Sequence, residues 1–475
     1  MTVVAINKDV FRTYDIRGHI GKEWCLDDSF HDSFLIGQAV GSQLVHRNSS
    51  SVIVGRDGRI SSDPLCEQLL KGLISVGCKV IDIGVVATPV VYFALDHLDM
   101  VNCIMVTGSH NPPDHNGIKI VYESSPLSKV VIKSIYYDII KDDFNVNHSG
   151  QVIPYDNIID EYKKAIVSNI DLQRPLRIAV DACNGATSLF AESLYKDLGC
   201  EVHPLYCELD GTFPNHSPDP TVPENLEALA ELVREKQLDI GLAFDGDGDR
   251  MIAVDNKGKL LWPDRIMVLL AKDILKKNPS APVVYDVKCS FLLPTTVRQY
   301  GGQPSMCVSG HSILKLQMKQ LNAIMGGEFS GHVVLRDRWS DFDDGPYVGA
   351  RLLEVIANSD RTPEEIYKEI PNSYSTREHR LLFEHADLAI EVLDQFISRS
   401  EFSGANLSLI DGLRVDYDDG WGLIRSSNTL PSLTFRFEAV TITRLAELQD
   451  KFRFVFDRIN EERTQNNQEA LLLPF

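Results

Sequence analysis

The chain repeats one pattern three times, and that repetition limits its fold more than any other feature. Residues 51–55 form an apolar run, followed by RDGRISSD and a helical stretch over about 64–76 that Gly77 closes. Residues 176–181, continuing as ACNGATS, and residues 282–290 (PVVYDVKCS) read the same way. Each copy is a strand ending in Asp, then small or hydroxyl residues, then a helix. Roughly 40 to 65 residues later a second apolar strand breaks into a polar loop: CIMVTGSH, IGLAFDGD and NAIMGGEFSGH. Helical patterning over 30–45 and 90–98 and a strand over 79–83 fill the intervals of the first copy. Strands alternating with helices predict mixed, mainly parallel sheets, which bind ligands at the carboxyl ends of their strands. The expectation is an α/β protein with three homologous domains, 1–151, 152–254 and 255–370, each delivering one loop to a central cleft. From Pro371 the texture changes. A helix over 386–398, a hairpin around Asp418–Gly420, an alternating strand over 433–438 and a helix over 442–463 predict an α+β domain, 371–475. With 475 residues, 44% of them hydrophobic, the chain can fill several such cores.

The loops carry the chemistry. In VTGSHNPPDHNGIKI, Gly108 permits a tight backbone and Pro112-Pro113 prevent a helix. Asn116-Gly117 reads as a turn into a second apolar run ending near Lys119. Ser109 is lifted to a strand end between Thr107 and His110. It lacks a G-x-S-x-G elbow, so it is either a nucleophile activated by other groups or a capping serine. In FDGDGDR, Asp245, Asp247 and Asp249 alternate with glycines and can converge on one point. Oxygen ligands at that density suit Mg²⁺ or Ca²⁺ rather than zinc. An EF-hand is excluded, because the sixth position is Arg250 and the twelfth Asn256. Arg250 beside a metal suits a phosphate substrate. Glu328, Ser330 and His332 alternate in GEFSGH, a set that can hydrogen-bond adjacent sugar hydroxyls. Arg425, Ser427, Asn428 and Thr429 offer a guanidinium, hydroxyls and an amide to a phosphate, with Arg436 in support. Tyr14 and Arg17 (in FRTYDIRG), Lys288 and His311 each read equally as packing, capping or surface residues when taken alone.

In this order, TGSHNPPDHNGIK, DGDGDR, GGEFSGH and RSSNTLPSLTFR resemble the four signature loops of the α-D-phosphohexomutase family. The likeness is nearest to its bacterial phosphomannomutase/phosphoglucomutase branch and runs from Phe11 to about Ile459. It implies an isomerase that moves phosphoryl reversibly between C1 and C6 of mannose and glucose phosphates, through a hexose 1,6-bisphosphate. It further implies that Ser109 is carried as phosphoserine, and that Mg²⁺ is held by Asp245, Asp247, Asp249 and an oxygen on Ser109. Lys119, Arg17 and Arg250 would stabilise the group in transfer, and His332, His311 or Lys119 would handle the hydroxyl proton. Glu328 and Ser330 would read O3 and O4, with His332 facing the transfer site. Arg425, Ser427, Asn428 and Thr429 would hold the phosphate that is not reacting, helped by Lys288 and Tyr14. Phe329 stands where this branch often carries methionine. The bisphosphate must turn around between two transfers, which a loop reading two adjacent equatorial hydroxyls tolerates and a swinging fourth domain permits. The 2-hydroxyl is then unread, so both sugars are expected to serve.

Other readings are weaker. A phosphoglucosamine mutase shares the architecture, but TGSHNP with GEFSGH resembles the mannose/glucose branch better. A metal-dependent hydrolase needs no loop for a second phosphate. A non-catalytic sugar-phosphate sensor should have lost Ser109 or a metal aspartate, and none is lost. A net charge of −20 argues against nucleic acid as a partner. No run of about eighteen apolar residues suggests a membrane span. The N-terminus lacks a signal-peptide pattern, and nine cysteines without C-x-x-C argue for reduced thiols and a cytoplasmic protein. The resemblance suggests a monomer. The tail TQNNQEALLLPF lies past the resemblance and has no functional reading.

Overall fold

In the computed structural model, residues 6–475 are described except 28, 145, 148 and 428–430. The threefold repeat appears as three sheets with the same centre. The strands Ser51–Arg56, Arg177–Asp181 and Pro282–Asp286 are each flanked on one side by a parallel neighbour: Lys79–Val85, Glu201–Leu205 and Gln303–Cys307. On the other side lie the parallel loop-bearing strands Cys103–Val106, Ile240–Phe244 and Met325–Gly327. An antiparallel strand then follows in each case: His115–Tyr122, Met251–Asp255 and Val333–Leu335. The three polar loops therefore occupy one structural position, the turn between the last two strands of each set. The first sheet gains Ile16–His19 beside His115–Tyr122 and Gln151–Pro154 at the opposite edge. Every residue of Cys103–Val106 and Ile240–Phe244 is buried, as expected of strands covered by helices on both faces.

One expectation fails here. Asn116 and Gly117 form no turn; they lie inside the strand His115–Tyr122, with Gly117 opposite Arg17. Asn116 is fixed by donating to the hydroxyls of Ser61 and Ser62, so tertiary bonds override its turn preference. The reversal lies earlier, with Asn111 N donating to Gly108 O and His115 N to Pro112 O.

The fourth unit is an antiparallel sheet in the order Tyr374–Ser375, Ser432–Ala439, Gly420–Ser426, Leu413–Tyr417, Asn406–Ser408, with His379–Leu382 also on Ser432–Ala439. Helices Ala386–Arg399 and Ile442–Gln465 pack on Leu433, Phe435 and Phe437. The alternation predicted for this strand is present, yet its other face is buried too. Glu438 there accepts hydrogen bonds from Trp421 Nε1 at 2.8 Å and Ser290 Oγ at 2.8 Å, and pairs with Arg265. Arg414 donates to the carbonyls of Val287 and Cys289 at 2.6 and 2.8 Å.

The apolar core is continuous through the first three sheets, from Ile53 through Leu242 to Ile356. The fourth sheet has its own core, and only a small apolar patch of Val287, Trp421 and Leu423 lies between it and the third. The tail folds back onto this core. Asn460 holds Leu471 by two backbone hydrogen bonds, and the Phe475 ring lies 5.0 Å from Phe435 and 4.8 Å from Phe437. Among the described residues no helix is long and apolar enough to cross a membrane.

Candidate active site

Ser109 sits at the end of Cys103–Val106 in a left-handed conformation, φ +49°, and is buried. Few non-glycine residues adopt that conformation, which costs about 1–3 kcal/mol, so the surroundings must impose it. Arg59 does so. Its buried guanidinium donates to the carbonyls of Ser109 at 2.6 Å, Asn111 at 2.7 Å and His115 at 3.1 Å, and also to that of Pro112. Asp57 orients Arg59 at 3.2 Å and accepts from Gly108 N and Thr107 Oγ1 at 3.2 and 2.7 Å. Arg17 meets the same loop through Asn111 Oδ1 at 3.3 Å and Gly108 O at 3.5 Å.

The Ser109 hydroxyl donates to Asp245 Oδ2 at 3.0 Å and lies 3.2 Å from His110 Nδ1. Glycine is required between the aspartates. A Cβ at Gly246 would stand 2.4 Å from the Ser109 carbonyl oxygen, and Gly248 has φ +78°. Asp245, Asp247 and Asp249 are fully buried and each offers an oxygen within 4.8 Å of the others. Burial, and then Asp249 and Asp247, push the Asp245 carboxyl well above the usual range. Burial also acts against ionisation of Asp249, but Lys119 and His332 outweigh it and hold that carboxyl below its usual value. Lys119 Nζ donates to Asp247 Oδ2 at 2.7 Å and to Asp249 Oδ2. Burial opposes the ammonium, yet these carboxylates raise its pKa.

Thr88 Oγ1 donates to Asp247 Oδ2 at 2.6 Å, while Asp247 Oδ1 and Asp249 Oδ1 are buried without a hydrogen-bond partner among the described residues. Three converging carboxylates, two with bare oxygens, fit a hard divalent cation.

Arg250 Nε donates to His332 Nε2 at 3.0 Å, and His332 Nδ1 lies 2.7 Å from Asp343 Oδ2. His311 opens the helix His311–Leu321 and stacks on His332, ring centroids 5.0 Å apart. Burial, then Lys315 and His332, lower its pKa well below the ordinary value, so His311 is neutral. Glu328 accepts from Gly310 N at 2.6 Å and from Ser330 Oγ at 3.4 Å. Tyr14 packs on Gly310, whose added Cβ would come within 2.9 Å of the phenol oxygen. Burial and then Glu328 raise the Tyr14 pKa.

From the fourth sheet, Arg425 Nε donates to Asp411 Oδ2 at 2.8 Å, and Asp411 Oδ2 also accepts from Ser309 N at 3.0 Å. Lys288 pairs with Glu378 at 3.1 Å. Ser427 follows Arg425 in the turn, its N–H bonded to Ser432 O at 2.9 Å; Asn428 and Thr429 lie outside the described residues. The Arg436 guanidinium bonds the Lys288 carbonyl, pairs with Asp264 at 3.3 Å and lies 3.4 Å from the ring centroid of Phe329, the residue between Glu328 and Ser330.

Ser109, Lys119, Arg250, His332 and the aspartates are thus joined by direct contacts, while Tyr14, Glu328 and His311 gather around Gly310. Sequence reasoning missed Asp57, Arg59, Thr88, Asp343, Glu378 and Asp411. For Asp57 and Arg59 a signal existed, since RDGRISSD ends the central strand of the first repeat. Thr88, Glu378 and Asp411 act across domains and leave no local pattern, and Asp343 meets His332 from a separate stretch of the same domain.

Comparison with known proteins agrees over almost the whole chain. Four family models match in order. They are phosphoglucomutase/phosphomannomutase alpha/beta/alpha domains I (residues 8–146), II (160–258) and III (262–374), and the C-terminal domain (384–454). The chain is 43% identical over 462 residues to a phosphomannomutase/phosphoglucomutase of Pseudomonas putida, covering 96% of this chain and 97% of that protein. It is 41% identical to a phosphoglucomutase of Neisseria meningitidis, covering 95% and 97%. A crystal structure of a phosphoglucomutase/phosphomannomutase family protein from Burkholderia thailandensis superposes with TM-score 0.90 at 41% identity, covering 99% of this chain and 100% of that one.

Proposed function

The chain belongs to the phosphoglucomutase/phosphomannomutase family, and on that premise we propose that Ser109 carries phosphoryl between C1 and C6 of mannose and glucose phosphates. The protein is a phosphohexose mutase, an isomerase that acts as an intramolecular phosphotransferase. The observation that carries the phosphoserine reading is the Ser109 hydroxyl, 3.0 Å from Asp245 with Lys119 bridging the other two aspartates. A serine strained outward into a carboxylate cluster gains nothing as a structural residue. As phosphoserine, with a charge near −2, it accounts for the cations gathered there.

Asp245, Asp247 and Asp249, with an oxygen of phosphorylated Ser109, would hold Mg²⁺. The ion would offset the negative charge that builds up on the group in transfer. Lys119, kept cationic by two carboxylates, acts as a counter-charge rather than as the base. Arg250 stands by the same oxygens, and Arg17 fixes the loop. His332 is placed to take the hydroxyl proton at Nε2: Asp343 beside Nδ1 favours the proton on that nitrogen, and Arg250, which donates to Nε2 at 3.0 Å, would release it when the substrate hydroxyl enters.

The sugar binds between Glu328 and Ser330, which read two adjacent hydroxyls in either orientation. Arg425, Ser427, Asn428 and Thr429 hold the distal phosphate, with Lys288 and Tyr14 beside them. After the first transfer the hexose 1,6-bisphosphate turns around and returns its other phosphoryl to Ser109. The fourth domain, with a core of its own, moves to let it turn. Trace hexose 1,6-bisphosphate charges the enzyme. Nine cysteines without a disulfide among the described residues suit a reducing cytoplasm, and we take the protein to act as a monomer.

Incubation with glucose 1,6-bisphosphate followed by intact-mass analysis tests the phosphoserine. The wild type should gain one phosphoryl group, mapped to Ser109, and Ser109→Ala should gain none. Equal labelling of the variant contradicts the proposal.

A further inference from the structure

Away from the catalytic loops, the N-terminal segment and the helix Lys129–Lys141 enclose a hollow of about 250 Å³. Its rim reverses the charge of the molecule. The chain carries −20, yet Lys8, Arg12, Lys129 and Lys133 all line this one hollow, against a single carboxylate, Asp9. Among the described residues Lys8, Lys129 and Lys133 pair with no carboxylate, and Arg12 meets only the half-exposed Glu23 at 3.2 Å. All four cations are exposed, so water and salt screen their mutual repulsion, but on an acidic protein a basic concavity still focuses anions locally.

Apart from Thr13, the remaining lining is aromatic. Phe11 forms the floor, edge-on to Tyr136 at 5.4 Å, and Tyr137 continues the wall at 5.5 Å from Tyr136. Flat rings beside cations suit a ligand that has both a planar ring and phosphates. Asp9 selects further. A carboxylate would repel a bare polyanion, but it accepts hydrogen bonds from a diol or an amine. A ring, a vicinal diol and two phosphates on one small molecule describe a nucleoside diphosphate, and part of it would project through the open mouth.

We propose that this hollow is a binding site for a nucleoside diphosphate, separate from the sugar-phosphate cleft. Arg12 lines it, and the same segment continues through Tyr14 to Arg17 at the Ser109 loop. The test is calorimetric titration of the full chain with ADP, GDP and UDP, with inorganic pyrophosphate as the ring-free control. Wild type is compared with a Lys129→Glu/Lys133→Glu variant and with Tyr136→Ala. Neither lysine touches the catalytic loops, so mutase activity of the double variant reports that it is folded. Saturable binding of at least one nucleoside diphosphate, weakened about tenfold or more by charge reversal and also by Tyr136→Ala, is the expected result. No binding, binding that survives charge reversal, or pyrophosphate binding as tightly as every nucleotide would each overturn the proposal. Failure here leaves the mutase reading untouched, since that rests on different residues and a different assay.

Discussion

Ser109 points its hydroxyl at Asp245 from a backbone conformation that an L-residue avoids, and the groups that force it there come from far along the chain. Arg59 is the main one, ending on four loop carbonyls while Asp57 holds it from behind. Burial pulls the arginine pKa down and Asp57 counters it, as expected of a desolvated charge that depends on its partners. Truncating one member of such a pair leaves the other charged and unpaired. Arg59→Ala should therefore lower stability by about 3–5 kcal/mol in urea melts and reduce turnover more than the KM for sugar phosphate, because the serine loses its orientation. Unchanged melting with full turnover would show that the loop holds its own shape. The aspartates and the serine were legible in the sequence because their chemistry sits within a few residues of a strand end. Arg59 was legible only as part of RDGRISSD at a strand end, and its grip on the serine loop was not, because that depends on where the loop returns. Lys288 and Arg436 were legible only as cations: the fold pairs Lys288 with Glu378 and sets Arg436 against the Phe329 ring.

At the scale of elements, the strand–loop units were readable because hydrophobic runs ending in Asp and glycine are local signals. The reading of Asn116-Gly117 failed because a turn-forming pair became a strand once Ser61 and Ser62 captured the asparagine. The strand Ser432–Ala439 alternates as its sequence says, but alternation does not reveal that the polar face is buried against the third domain. The helix Gly345–Ala357 yields a pH prediction. Its cap, Asp344, accepts from Tyr347 N at 2.8 Å, Tyr162 at 2.7 Å and Trp339 at 2.9 Å, yet burial pushes its pKa up to about 6. A carboxyl with a raised folded pKa contributes stability fully below about pH 4, and that contribution is lost as pH rises through about 6. Comparing stability curves of the wild type and Asp344→Asn should show a wild-type loss of about 2–3 kcal/mol over that window that the variant lacks. Parallel curves would mean that the cap titrates normally. The tail, silent in the sequence, belongs to the fourth core through Phe475. Phe475→Ala should cost about 1–2 kcal/mol, less than a fully buried ring, and leave turnover unchanged. A melt indistinguishable from wild type would show that the ring adds nothing.

The whole molecule divides by its cores. One apolar cluster runs through the first three domains, beside smaller ones within each, whereas the fourth meets the third largely through arginines, Glu438 and backbone carbonyls. Polar contacts of that kind can exchange partners in a way that a packed apolar interface cannot, which suits the proposed turning of a bisphosphate beside this domain. The repeat made the first three domains legible, while the separateness of the fourth is a property of packing that no stretch of sequence carries. On the proposed mechanism one serine passes phosphoryl back and forth for either sugar. The direct measurement is a mutase assay with Mg²⁺ and trace hexose 1,6-bisphosphate, supplying mannose 1-phosphate, glucose 1-phosphate and glucosamine 1-phosphate separately to the wild type and to Ser109→Ala. Mannose and glucose phosphates should both turn over, at a rate reduced about 10³-fold or more in the variant. Conversion of glucosamine 1-phosphate alone would contradict the sugar assignment, and full activity in Ser109→Ala would contradict the phosphoserine mechanism itself.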